Sequence, residues 1–209
     1  MAWPAMKSRP HRSPTPQARP AAHERQAREN RHVQTVEKFA PALGEDELLA
    51  LVAAQALPLV LVLDCVQDPH NLGAILRSAD AAGVHAVVTT KDKAVGITET
   101  VRRVSVGAAD HVPFAQVTNL ARTMEKLKAA GLWLVGTSDR AAKSLYETDL
   151  RGPLAIVLGA EEKGMRRLTE ENCDFLAAIP MAGKVGCLNV SVAAGVCLFE
   201  AVRQRGIGP

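Results

Sequence analysis

The chain has 209 residues, 47% hydrophobic and 3% aromatic, with a formal net charge of +3. That is enough for one domain of ordinary size and a tail. The apolar runs stay short of the roughly 18 residues of a membrane span, and so few aromatic rings argue against a stacking platform for single-stranded nucleic acid. The charge is unevenly placed: residues 1–32 hold seven bases against two acids, so the tail carries +5 and the remainder −2.

Taken in chain order, residues 1–32 contain five prolines and no apolar periodicity, which predicts disorder in the free chain. An arginine-rich, polyanion-seeking arm is one reading of that tail, and a solubilising or leftover segment is the other. A transit peptide is a third, opposed by the prolines, which break an amphipathic helix. Residues 33–57 read as a helical lead-in broken at Gly44 and ended by Pro58. From Leu59 the pattern alternates. Strands are expected at 59–64 (LVLVLD), 85–90, 111–115, 132–137, 153–159 and 175–180. Helices are expected at Asn71–Ala82, Thr98–Val106, Thr118–Ala130 and Leu188–Arg205. Continuous apolar strands alternating with helices predict an α/β domain over 58–209: a mostly parallel sheet with helices on both faces. Ligands of such sheets gather beyond the carboxyl ends of the strands, here at 64–71, 136–139, 159–164 and 179–189.

Those loops exclude several chemistries. No GxGxxG follows the first strand, so a Rossmann dinucleotide site is unsupported. GAEEKGM (159–165) has the spacing of two P-loop glycines, but Met165-Arg166 stands where Lys-Ser/Thr is required and Glu161 and Glu162 repel phosphate. Ser-His-Asp hydrolysis lacks its GxSxG elbow. His70 reads as a structural histidine beside a helix cap. Cys65, Cys173, Cys187 and Cys197 form no CxxC pair and read as reduced thiols of a cytoplasmic protein; no metal site is expected.

Three stretches stand out together: DPHNLGAILRSADAAG (68–83), IVLGAEEKGM (156–165) and IPMAGKVGCLNVSVAAGVCLFEAVRQR (179–205). Asn71 stands at the expected helix start, where an asparagine can cap backbone N–H groups. Arg77, alone in an apolar helix, must snorkel to water or find an anion, which it can grip bidentately. In this order and spacing the trio resembles the SpoU (TrmH-type) RNA ribose 2′-O-methyltransferases of the SPOUT superfamily, over roughly residues 58–205. The third stretch is most similar to the branch that methylates guanosine ribose in bacterial 23S rRNA.

The resemblance implies S-adenosylmethionine as cofactor, RNA (most of all rRNA) as partner, a homodimer, and a C-terminal trefoil knot that threads the chain around 159–189. By the same resemblance the catalytic group is Asn71, Arg77, Glu161 and Asn189. Arg77 is then the base for the ribose 2′-OH, with phosphate positioning as its fallback role because guanidinium groups hold their protons in proteins. Backbone groups of Gly159, Ile179 and Leu188 cradle the cofactor, Gly159 by removing a Cβ where it approaches, and Thr137 and Met181 are wall residues. Independently, the terminal helix is apolar nearly all round, which predicts burial on both sides and a second subunit as cover.

Two departures matter. The family's Ser-Leu-Asn triplet is Cys187-Leu188-Asn189 here, and a thiol is the weaker donor. The resembled ribosomal enzymes also carry a small RNA-binding domain before the catalytic one, whereas only the tail and residues 33–57 precede Leu59, so substrate choice does not carry over. A tRNA methyltransferase, a non-catalytic RNA-binding or ribosome-assembly factor that retains the pocket, and a plain dimeric module for a nucleoside-like ligand remain alternatives.

Overall fold

In the computed structural model residues 42–160 and 163–206 are described. Their elements are α1 (Glu45–Ala53), β1 (Leu59–Asp64), α2 (Pro69–Ala81), β2 (Ala86–Thr90), α3 (Glu99–Ser105), a 3-10 turn (Ala108–Asp110) and β3 (Phe114–Val117). There follow α4 (Leu120–Ala129), β4 (Trp133–Thr137), β5 (Lys143–Ser144), a second 3-10 turn (Leu145–Glu147), β6 (Leu154–Gly159), α5 (Arg167–Glu171), β7 (Phe175–Ala178) and α6 (Val190–Gln204).

The seven strands form one sheet in the order β3-β2-β1-β6-β4-β7-β5, with every pairing parallel. The apolar run of β1 explains its central place. Leu59, Leu61 and Leu63 face a layer built from α2, α3 and α6, while Val60 and Val62 face the layer of α1 and α4. A strand covered on both faces needs apolar residues at every position, not at alternate ones. α2 and α3 approach so closely that a Cβ on Gly73 would lie 2.6 Å from Val104 Cβ.

The helix starts differ from the sequence reading. α2 begins two residues earlier than Asn71: Asp68 is its cap, accepting from the His70 N–H at 2.9 Å, and Pro69 fills the first helical position. Proline is pre-organised there and has no N–H to leave unpaired. Asn71 therefore lies within the first turn and is not the cap. The last helix starts after Asn189, whose side chain accepts from the Ser191 N–H at 3.0 Å.

The strand expected at 111–115 lies at Phe114–Val117, beyond Pro113, which cannot donate to a ladder. Leu43 borders this edge strand: its N–H donates to the Phe114 carbonyl, and the Gln116 N–H donates back to Leu43. The expected strand 175–180 stops at Ala178, short of Pro180. The short β5 and α5 were not anticipated. Of the helical lead-in, the part before residue 42 lies outside the described residues, as does the tail; the rest holds α1, which ends at Ala53, short of the expected 57, and whose cap residue Gly44 donates its N–H to the Glu47 carboxylate at 2.7 Å. Among the described residues no helix is long and apolar enough to cross a membrane.

Candidate active site

The chemistry-bearing loops meet above the carboxyl ends of β1, β4, β6 and β7. Asp64 ends β1 in register with Gly159 of β6. Continuing the alternation of β1, its side chain turns to the α4 side and is 0% exposed. A buried carboxylate must be partnered. Its oxygens accept from the Arg166 backbone N–H at 2.8 Å and from Arg166 Nε at 2.7 Å, and the Cys65 thiol donates at 3.4 Å. Arg166 opens α5, so this clamp draws the start of α5 over the tip of β1.

The loop between β6 and α5 folds back on itself, with the Gly164 N–H donating to the Ala160 carbonyl at 2.8 Å. A Cβ on Gly159 would lie 2.1 Å from the Gly164 carbonyl carbon and 2.2 Å from Met165 N. The glycine is thus demanded by the chain's own backbone. This corrects the expectation that its missing Cβ makes room for a cofactor.

A cleft of about 440 Å³ opens beside this loop. Thr137, Gly159, Ile179, Met181 and Leu188, the five residues named for the cofactor, all line it, together with Ser138, Asp139, Arg140, Lys163 and Glu170. Asp139 and Glu170 bring carboxylates to this lining, and Arg140 and Lys163 bring cations. Thr137 donates its hydroxyl to the Val157 carbonyl at 3.4 Å, which ties β4 to β6 at the mouth. Cys187 also lines the cleft and is exposed. Burial pushes the other thiols up: Cys173 and Cys197 to about 12, and Cys65 upward through burial first and the Asp64 charge second.

The four proposed catalytic residues fare differently. Asn189 Nδ2 donates to Asn71 Oδ1 at 3.0 Å, joining the first turn of α2 to the cap of α6 across 118 residues. Asn189 Oδ1 meanwhile accepts from the Ser191 N–H and hydroxyl. Arg77 is exposed and does not line the cleft. It lies six residues beyond Asn71, about 9 Å further along the helix, on the face of α2 turned to solvent with His70. Glu161 lies outside the described residues. Sequence reasoning missed the Asp64–Arg166 pair, although a carboxylate closing an otherwise apolar, doubly covered strand was a signal for a buried partner.

A parallel α/β domain with a cleft across its strand tips, and two asparagines bridging the helices beside it, places a candidate site where ligands of such sheets gather. The profile of the SpoU rRNA Methylase family matches residues 58–199, and the chain belongs to this family. The 23S rRNA (guanosine-2′-O-)-methyltransferase RlmB of Ralstonia nicotianae is 58% identical over 177 residues, which cover 85% of this chain and 70% of that protein. Its counterpart in Pseudomonas aeruginosa is 61% identical over 163 residues, 78% of this chain and 66% of that one. Among solved structures, the SpoU methyltransferase AviRb from Streptomyces viridochromogenes in complex with AdoMet superposes with a TM-score of 0.70 at 31% identity. That match covers 77% of this chain and 63% of AviRb.

Proposed function

We propose that this chain is an S-adenosylmethionine-dependent RNA ribose 2′-O-methyltransferase acting on a guanosine of 23S rRNA. The observation that carries the reading is the single cleft in which Thr137, Gly159, Ile179, Met181 and Leu188 converge, with the Asn71–Asn189 bridge joining the two helices of the family's catalytic motifs. Relatives named for 23S rRNA guanosine at close to 60% identity support the substrate. The cofactor fits the cleft chemically: the acids Asp139 and Glu170 of its lining suit a cation. When bound, S-adenosylmethionine supplies an electrophilic methyl group on a sulfonium.

The chain's own residues supply position. Ile179 and Leu188, from the loop after β7, would hold the cofactor in the cleft they share with Thr137 and Gly159. Asn189, oriented by its cap to Ser191, fixes the amide of Asn71. Arg77 receives the RNA: its guanidinium holds the phosphate next to the reacting ribose. Transfer would join the ribose 2′-oxygen to the methyl carbon as the sulfonium–methyl bond breaks, leaving the cofactor as its neutral thioether and releasing the 2′-OH proton to water.

The homodimer and the knot belong to the same proposal. Val192, Val196 and Phe199 follow each other at helical spacing on α6. Val192 and Phe199 are 51% and 49% exposed in the single chain, an apolar stripe suited to a second copy. The expectation of burial on both sides is met on the sheet side alone within one subunit. The trefoil threading is supported by the return of the chain from β7 across the tips of β4 and β6 to α6, which rests on α2 and β6. A cytoplasmic location fits four cysteines that form no disulfide with one another.

The test is calorimetry with S-adenosylmethionine and transfer of labelled methyl from it to 23S rRNA, followed by mapping of the modified ribose. Binding with transfer to one guanosine is expected. Binding with no transfer to any RNA would favour the assembly-factor reading instead.

A further inference from the structure

The Asp64–Arg166 pair does more than close a loop. Asp64 uses the backbone N–H and the Nε of Arg166. That double anchor fixes the plane of the guanidinium and leaves its two Nη groups, which have no partner among the described residues. The side chain is 47% exposed although its carboxylate partner is wholly buried. Arg151, Arg167 and Arg203, by contrast, are paired with carboxylates two to four residues away. An arginine pinned along one edge, with its Nη edge turned to solvent, is pre-organised for a planar, two-oxygen anion.

A second cation, Lys93, stands on the loop after β2, which is tied to the loop that follows Asp64 at the tip of β1. Lys93 is exposed but its backbone is held: it is left-handed at φ +59°, its carbonyl accepts from Gln67 Nε2 at 3.3 Å, and the neighbouring Val95 N–H donates to Val66 at 3.0 Å. Neither Arg166 nor Lys93 lines the cofactor cleft. Asp64 and Arg166 lie on the α4 side of the sheet, whereas Arg77 rides on α2 on the other side.

We propose that Arg166, oriented by Asp64, and Lys93 form a phosphodiester-binding site for the backbone of the RNA substrate at the tip of β1. The inference rests on the RNA methyltransferase reading. With Arg77 on the other face of the sheet, it gives the RNA backbone two points of support flanking the tip of β1. A strand held on both sides of the target nucleotide is fixed in register without reading any base.

The experiment compares wild type, Lys93→Asn, Arg166→Gln and Arg151→Gln on a 23S rRNA transcript. Asparagine tolerates the left-handed backbone of residue 93, and Arg151 lies at the opposite end of the strands as a control. Measured are RNA affinity across a salt series, KM for RNA and for S-adenosylmethionine, kcat, and cofactor binding by calorimetry. Lys93→Asn and Arg166→Gln are expected to weaken RNA binding about three- to tenfold and to lower the salt slope by about one. For Lys93→Asn, KM for RNA should rise with kcat and cofactor affinity nearly unchanged, and Arg151→Gln should match wild type. The proposal is overturned if Lys93→Asn and Arg166→Gln keep wild-type RNA affinity and salt slope. It is equally overturned if Arg166→Gln loses cofactor binding while Lys93→Asn changes nothing, which would make Arg166 a loop clamp alone. Absence of methyl transfer by the wild type would overturn the enzyme reading separately, because the binding series decides the phosphate site by itself.

Discussion

Replacing Gly159 by alanine should dismantle the cleft wall. The new Cβ would sit 2.1 Å from the Gly164 carbonyl carbon, 2.2 Å from Met165 N and 2.4 Å from the Gly164 oxygen. All three are backbone atoms, so no side-chain rotation relieves the clash. The segment has to move by more than an ångström, and it is tethered on both sides. Gly164 is bonded to Ala160, Arg166 is bonded to Asp64, and Met165 is buried with its methyl beside Gly136.

Displacement then breaks a neutral hydrogen bond, worth about 1 kcal/mol, and strains one to a carboxylate, worth about 1.5–3. Overpacking adds about 1–3 kcal/mol. A total near 4 kcal/mol follows, a large share of the roughly 5–15 kcal/mol that holds a domain of this kind folded. Urea unfolding and calorimetry with S-adenosylmethionine are the assays. The control is Gly164→Ala, where φ is +63° and a Cβ meets open space; it should cost only about 1–2 kcal/mol for its left-handed backbone. Gly159→Ala within about 1 kcal/mol of wild type, with unchanged cofactor affinity, would refute the argument.

Arg77→Ala should remove methyl transfer while leaving cofactor affinity nearly intact, since Arg77 lies outside the cleft; transfer at a wild-type rate would make it a surface residue. At pH 8 iodoacetamide should modify Cys187 first, with S-adenosylmethionine slowing the reaction, because the other three thiols are held protonated; mass spectrometry after short exposure reads the site. Cys187→Ser should transfer methyl at an equal or faster rate, changed by less than about tenfold. Stability should fall as pH rises above about 9, where an unfolded thiol ionises while Cys173 and Cys197, both near 12, keep their protons in the folded chain. The loss is about 1.4 kcal/mol per thiol per pH unit in that window, and Cys197→Ala should flatten the slope seen in urea midpoints between pH 8 and 10. Deleting residues 1–32 should weaken RNA binding at low salt and leave cofactor affinity alone; equal affinities would show that the tail is idle.

The sequence by itself determined the architecture and much of the cleft. An unbroken run such as LVLVLD cannot expose either face, and its recurrence between helical segments leaves a doubly covered parallel sheet as the arrangement that buries it. The resemblance to the family named Thr137, Gly159, Ile179, Met181 and Leu188 for the cofactor, and these line one cavity. The cap read at Asn71 falls instead to Asp68, ahead of Pro69; tertiary structure decided that Asn71 meets Asn189. It also decided why Gly159 is glycine and what Asp64 binds. Capping, turn chemistry and periodicity act within a turn or two of chain, and so can be read locally. The Asp64–Arg166 pair spans 102 residues and the Asn71–Asn189 bond 118. Such contacts exist only once the sheet order has placed β1 beside β6 and returned α6 against α2, an outcome of burying every layer at once that no single segment encodes.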